Sequence, residues 1–212
     1  VVATDLAATV FAATLLLTLS VAAPAGAQPY EVPLYHSTTG GKPNLLVYAG
    51  VGGGPLGPYL FDTGSRAMFA TYGRWWPGHE HLVDVVGEYE ITFASGTVYR
   101  YEMVRTDVSL GTMQGRTVVT VPGARIGRIT DIDPATPKAS FHDWAARVRR
   151  GRPPIASDRT YGNFGAGLDG GPNFGTVLAQ MPLKKGLKRG FVVMSGGRAA
   201  RRGKLVVGLT AE

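Results

Sequence analysis

Cysteine is absent from this chain of 212 residues, so disulfides, a thiol nucleophile and thiolate metal sites are all excluded. Histidine is scarce, at four residues. His79 and His81 flank Glu80, and in an extended segment alternate side chains share a face, which brings only the two imidazoles together. His36 and His142 stand far away in sequence and offer no third ligand at a supporting spacing, so no metal site is predicted. Charge is thin, at 17% of residues, and its balance is basic: 22 Lys+Arg against 15 Asp+Glu give a formal +7. The excess gathers in three runs, Arg147 to Arg152, Lys184 to Arg189 and Arg198 to Lys204. No aromatic residues interleave with these runs as a nucleic-acid surface favours, so they read as solvated loops and no nucleic-acid partner is predicted. The glycines between Gly162 and Gly175 do not form a nucleotide-binding arrangement at a strand-to-helix junction, and no phosphate cradle is read there.

What is present suits one globular unit of fair size. The apolar fraction is 44% and the mean hydropathy is +0.04, enough for a core. Glycine at 30 residues and proline at 14 favour strands and turns over long helices. Residues 6–23 are almost wholly apolar and run into Ala25-Gly26-Ala27 before Gln28. A small-x-small site after an apolar segment is what signal peptidase reads, so residues 1–27 are predicted to be a signal peptide cleaved after Ala27. Pro24 and Gly26 break the segment and favour removal over a permanent membrane helix. The expected destination is outside the cytoplasm, secreted or in the cell envelope, with membrane contact through the signal segment only.

Strand patterns follow. Val32 and Leu34 alternate within residues 30–35, residues 45–49 form a second run, and Val51-Gly52-Gly53-Gly54-Pro55 is a flexible turn before a strand at residues 59–61. That strand leads into Asp62-Thr63-Gly64-Ser65. Asp62 is an acid at a strand end, Thr63 and Ser65 carry short hydroxyls able to bond the carboxylate or nearby backbone, and Gly64 allows a tight turn. Phe69 follows closely. Residues 88–101 read as a hairpin with two β-rich runs around Ala94-Ser95-Gly96, and residues 107–111 and 116–121 read as paired strands. From Arg125 the pattern becomes irregular, with a loop predicted over 129–137 and a short amphipathic helix over 141–149. Residues 161–168 form a second glycine-bearing segment, Asn163-Phe164-Gly165 within it. A short helix is expected over 174–181, with strands at 191–194 and 204–208.

The loop Asp62-Thr63-Gly64-Ser65 resembles the active-site loop of pepsin-like and retroviral aspartic proteases, and the features around it follow the order of one pepsin-like lobe from about Tyr30 to the C-terminus. The resemblance implies an all-β single lobe of the acid-protease type, with a flap hairpin and one or two short helices. It implies Asp62 as a catalytic acid, with Thr63, Gly64 and Ser65 as its supporting loop. Phe69 falls where that family usually carries a Trp beneath the flap, and Phe93 where it usually carries a Tyr, so the stacking surface is kept and a hydroxyl is lost. Phe93, Ser95 and Gly96 would form the flap that closes over a peptide. Asn163 is polar where an aliphatic residue is expected in the strand crossing beside the acid.

In that family two Asp residues share a proton, because adjacent like charges resist simultaneous ionisation. One activates a water against the peptide carbonyl while its partner donates a proton, and no cofactor is implied. Only one Asp-Thr-Gly occurs here. Three readings follow: an aspartic endopeptidase whose second lobe continues beyond Glu212, a homodimer pairing two copies of Asp62, and a binding protein of the same fold that holds peptide, protein or glycan without turnover. The predicted partners are therefore a peptide or protein substrate and a second lobe or subunit.

Overall fold

The alternation in Gly57-Pro58-Tyr59-Leu60-Phe61-Asp62, where every other residue is buried, is the pattern of a strand with one face on a core and the other half-covered. The same physics sets most of the chain. The computed structural model describes residues 27–38, 43–71, 85, 87–133, 160–167, 175–194 and 202–210. Its strands are β1 (Tyr30–Ser37), β2 (Asn44–Val51), β3 (Gly57–Asp62), β4 (Met68–Thr71), β5 (Glu88–Thr92), β6 (Val98–Gly111), β7 (Thr117–Asp133), β8 (Gly162–Gly165), β9 (Lys188–Met194) and β10 (Arg202–Leu209), with one helical turn, α1 (Val177–Gln180), between β8 and β9. The fold is all-β.

The strand order is β5-β6-β7-β4-β8-β3-β2-β1-β10-β9, and an additional pairing joins β6 to β2. That pairing closes β2, β3, β8, β4, β7 and β6 into a barrel. It is possible because β6 is long: its end, Val108 to Gly111, pairs with Val51 to Tyr48 on β2, while its earlier part pairs with β5. Most neighbours run antiparallel, but β3 with β8 and β4 with β7 are parallel. One core joins the barrel strands to β1 and β10, built on Val32, Leu34, Val47, Tyr59, Phe61, Met68, Val104, Leu110, Ile126, Phe164 and Leu205. A smaller cluster lies under the hairpin of β5 and β6, made of Ala67, Phe69, Tyr101, Ile129 and Ile132 with Ile91, Phe93 and Tyr99 against it.

The hairpin expected over 88–101 is present, and its second arm is continuous with the strand expected at 107–111. The loop expected from 129 is overturned in its described part: β7 runs unbroken to Asp133, with Ile129 paired to Tyr101 and Asp133 to Val98. Ile129 and Ile132 are fully buried, so burying them against the hairpin outweighs a sequence that looks irregular. The helix expected over 174–181 shrinks to one turn. Thr176 caps it by accepting a bond from the Leu178 N–H, and Pro182 holds Met181 in an extended conformation that ends it. The leader through residue 26, His79-Glu80-His81 and the helix expected over 141–149 lie outside the described residues.

Candidate active site

Asp62 is the last residue of β3, half-buried at the barrel rim, with Thr63 and Gly64 exposed beyond it. Its carboxylate is oriented from two sides. Oδ1 accepts the backbone N–H of Gly64 at 2.8 Å, an Asx turn that the short side chain and the glycine make possible. Oδ2 accepts the Asn163 amide at 3.1 Å. The same Asn163 nitrogen donates to Ser65 Oγ at 3.0 Å, so Ser65 supports the acid through Asn163. Thr63 is exposed and its hydroxyl makes no bond to the described residues.

Asn163 reaches Asp62 because β8 runs inside the loop that carries the acid. On one side β8 pairs in parallel with β3, Leu60 opposite Asn163 and Asp62 opposite Gly165. On the other it pairs antiparallel with β4, where Phe69 stands opposite Asn163 and Met68 opposite Phe164. Beyond the strand, three consecutive amides are taken by the loop: Gly165 N–H donates to Ala67 O at 3.1 Å, Ala166 N–H to Asp62 O at 2.8 Å and Gly167 N–H to Ser65 O at 2.7 Å. With those donors engaged, this glycine-rich segment has none of them left for a phosphate. A side chain at residue 165 would not fit, since a Cβ there would lie 2.5 Å from Ala67 O and 2.7 Å from Ser65 Oγ.

Asn163 is almost wholly buried, at 6% exposure, and its Oδ1 has no partner. Turning the amide over would set that oxygen against a carboxylate oxygen, acceptor to acceptor, and would lose the bond to Asp62. Sequence reasoning registered Asn163 only as a departure from an apolar pattern. A polar residue between Gly162 and Phe164 in a strand buried on both faces was the available signal, because such a residue needs a partner.

Phe69 links the acid to the hairpin. Its backbone lies beside Asn163, and its ring makes edge contacts with Phe93, Tyr99 and Tyr101 at centroid distances of 6.0, 5.9 and 4.9 Å. Phe93 also meets Tyr99 at 4.7 Å. The hairpin tip is a tight turn in which Gly96 N–H donates to Phe93 O at 2.7 Å and Phe93 N–H to Thr97 O at 2.8 Å. Gly96 adopts φ +80°, which glycine takes at little steric cost. Ser95 is exposed, and among the described residues its hydroxyl bonds only Thr97. The structure therefore brings Asp62, Gly64, Ser65 and Asn163 into one hydrogen-bonded set and joins Phe69 to Phe93; Ser95 and Gly96 belong to the turn and make no described contact with the acid.

Among the described residues no group of three or more His, Asp or Glu side chains could hold a metal ion. No protein-family model matches the chain, and no curated protein is similar to it in sequence. What the arrangement offers chemically is one oriented carboxylate, open to solvent on its outer side, beside an aromatic-based hairpin.

Proposed function

We propose that the chain is one lobe of an exported, pepsin-like aspartic endopeptidase, in which Asp62 works with a second carboxyl from another lobe or a second subunit. The observation that carries this reading is the fixed Asp62 carboxylate, held by the Gly64 N–H and the Asn163 amide at a rim where water has access. A carboxylate so held accepts a proton from a water whose oxygen attacks the peptide carbonyl carbon. The second carboxyl gives its proton to the carbonyl oxygen. The tetrahedral species then collapses with the C–N bond breaking and a proton passing to the leaving amine. Orientation by fixed donors lowers the reorganisation needed as charge shifts. Because one carboxyl must be protonated while the other is ionised, activity is expected on the acid side.

The test is cleavage of a denatured protein across an acid pH series, by wild type and by Asp62→Asn. Asn keeps the shape and can still accept the Gly64 bond, so folding stability should fall by less than about 1 kcal/mol, while turnover should drop by roughly three orders of magnitude or more. Cleavage that is unaffected by the substitution would remove Asp62 from the mechanism.

A second reading is favoured by Phe93, which sets an apolar ring where the resemblance expects a hydroxyl. It is a non-catalytic protein that binds peptides along the same rim. It predicts no cleavage by wild type at any pH and peptide binding that Asp62→Asn preserves.

A further inference from the structure

Arg105 and Arg125 stand directly opposite each other in the β6–β7 ladder. Both side chains are exposed, and neither makes an ion pair with any described residue. Like charges facing one another across a strand pair are destabilising, so this pairing calls for a counter-charge. The ladder shifts register between Thr106 and Val108, so that Pro122 and Gly123 bulge opposite Asp107. Gly123 turns with φ +56° and donates its N–H to Asp107 Oδ1 at 2.8 Å. The space beside Gly123 is occupied by the Arg105 stem, whose Cδ would lie 3.6 Å from a Cβ at that position. On the other strand the Arg125 backbone is gripped by one side chain: Gln180 Oε1 accepts its N–H at 2.8 Å and Gln180 Nε2 donates to its carbonyl at 3.1 Å. Arg105, Pro122, Gly123, Arg125 and Gln180 line an open groove of about 350 Å³.

We infer that this groove binds a tetrahedral oxyanion, phosphate or sulfate, between the Arg105 and Arg125 guanidiniums. Each guanidinium offers paired N–H donors in a planar fork that matches two oxygens of such an anion. One anion satisfies both forks and removes their mutual repulsion. Asp107 is the acid at this bulge, and with Oδ1 already accepting the Gly123 N–H it leaves the two cations in excess. The proposal is independent of any role for Asp62.

The test is calorimetric titration of the full chain with inorganic phosphate and with sulfate against chloride at matched ionic strength, alongside thermal melts in the same salts. Expected is a single saturable site for phosphate and sulfate, a melting temperature raised by them but not by chloride, and loss of both effects in the Arg105→Gln, Arg125→Gln double variant. In chloride that variant should melt at or above the wild-type temperature, because the cross-strand repulsion is gone. Arg125→Lys, which keeps the charge but not the fork, should weaken phosphate binding by about tenfold and serves if the double variant does not fold. Phosphate indistinguishable from chloride on the wild type, binding that persists in the double variant, or full affinity in Arg125→Lys would each overturn the inference.

Discussion

Around Asp62 the chain is held by close backbone approach, with three consecutive amides of residues 165–167 donating into the loop 62–67 and no room for a Cβ on Gly165, whereas the hairpin of β5 and β6, laddered to β7 along its β6 arm, meets β4 through rings, Phe69 against Phe93, Tyr99 and Tyr101. Backbone contacts of this kind have one geometry, and a small displacement breaks several bonds together. Aromatic edge contacts tolerate sliding, because the attraction is spread over many weak atom pairs. A group that must keep its orientation belongs on the first kind of support. The acid loop thus rests on backbone bonds and the hairpin's contact with β4 on rings, and the two meet at Phe69.

Phe69→Ala attacks that meeting point and should have the largest effect. The ring is fully buried, and its removal is expected to cost about 4 kcal/mol in chemical denaturation. If the two supports differ as described, hydrogen exchange should quicken over residues 89–101 well before residues 162–165. Gly165→Ala strikes the other side. The added methyl meets backbone atoms that cannot rotate away, so about 3 kcal/mol should be lost, with exchange rising in the loop 62–67 while the hairpin amides stay protected. Asn163 gives a finer separation. Asn163→Ala removes two donor bonds and leaves a void, for a loss of about 2 kcal/mol. Asn163→Leu should lose less than about 1 kcal/mol, because its side chain fills the void that Ala leaves, yet any cleavage should fall mainly in kcat as the Asp62 carboxylate loses an orienting donor. Equal stability losses in the two Asn163 variants would show that the void adds little and that the lost donor bonds dominate there.

Much of the barrel was legible because its strands alternate cleanly, as in Gly57–Asp62. The hairpin was legible from Ala94-Ser95-Gly96 between β-rich runs. What escaped was β7 beyond Arg125. Its buried residues are Val119, Val121, Ala124, Ile126, Gly127, Ile129 and Ile132, a series whose spacing slips where the ladder shifts register between Thr106 and Val108 and again between Arg100 and Tyr101. Each bulge moves the buried positions by one, which erases the period of two that identifies a strand. The acid was legible from Asp62-Thr63-Gly64-Ser65, but its contact with Asn163 was not, since the two are 101 residues apart and only the parallel pairing of β3 and β8 brings them together. The opposition of Arg105 and Arg125 escaped for the same reason: register, not composition, creates it.

Phe93→Tyr should produce the smallest structural change and the most informative one for the hairpin. Phe93 is only partly buried, so a hydroxyl at its ring tip need not be stripped of water, and stability should stay within about 0.5 kcal/mol of wild type. Its edge contacts with Phe69 and Tyr99 involve the ring body and survive the addition. On the peptidase reading, the new hydroxyl adds one neutral donor at the face that closes toward a bound peptide, and one such bond made only in the transition state corresponds to about tenfold in kcat. The ring-held hairpin would then behave as a tolerant support that accepts a polar group without loss of fold. A stability loss of about 2 kcal/mol or more would instead mean that Phe93 sits in as exact a fit as Gly165, and the contrast between a rigid acid loop and a permissive hairpin would fail at the residue where it should be strongest.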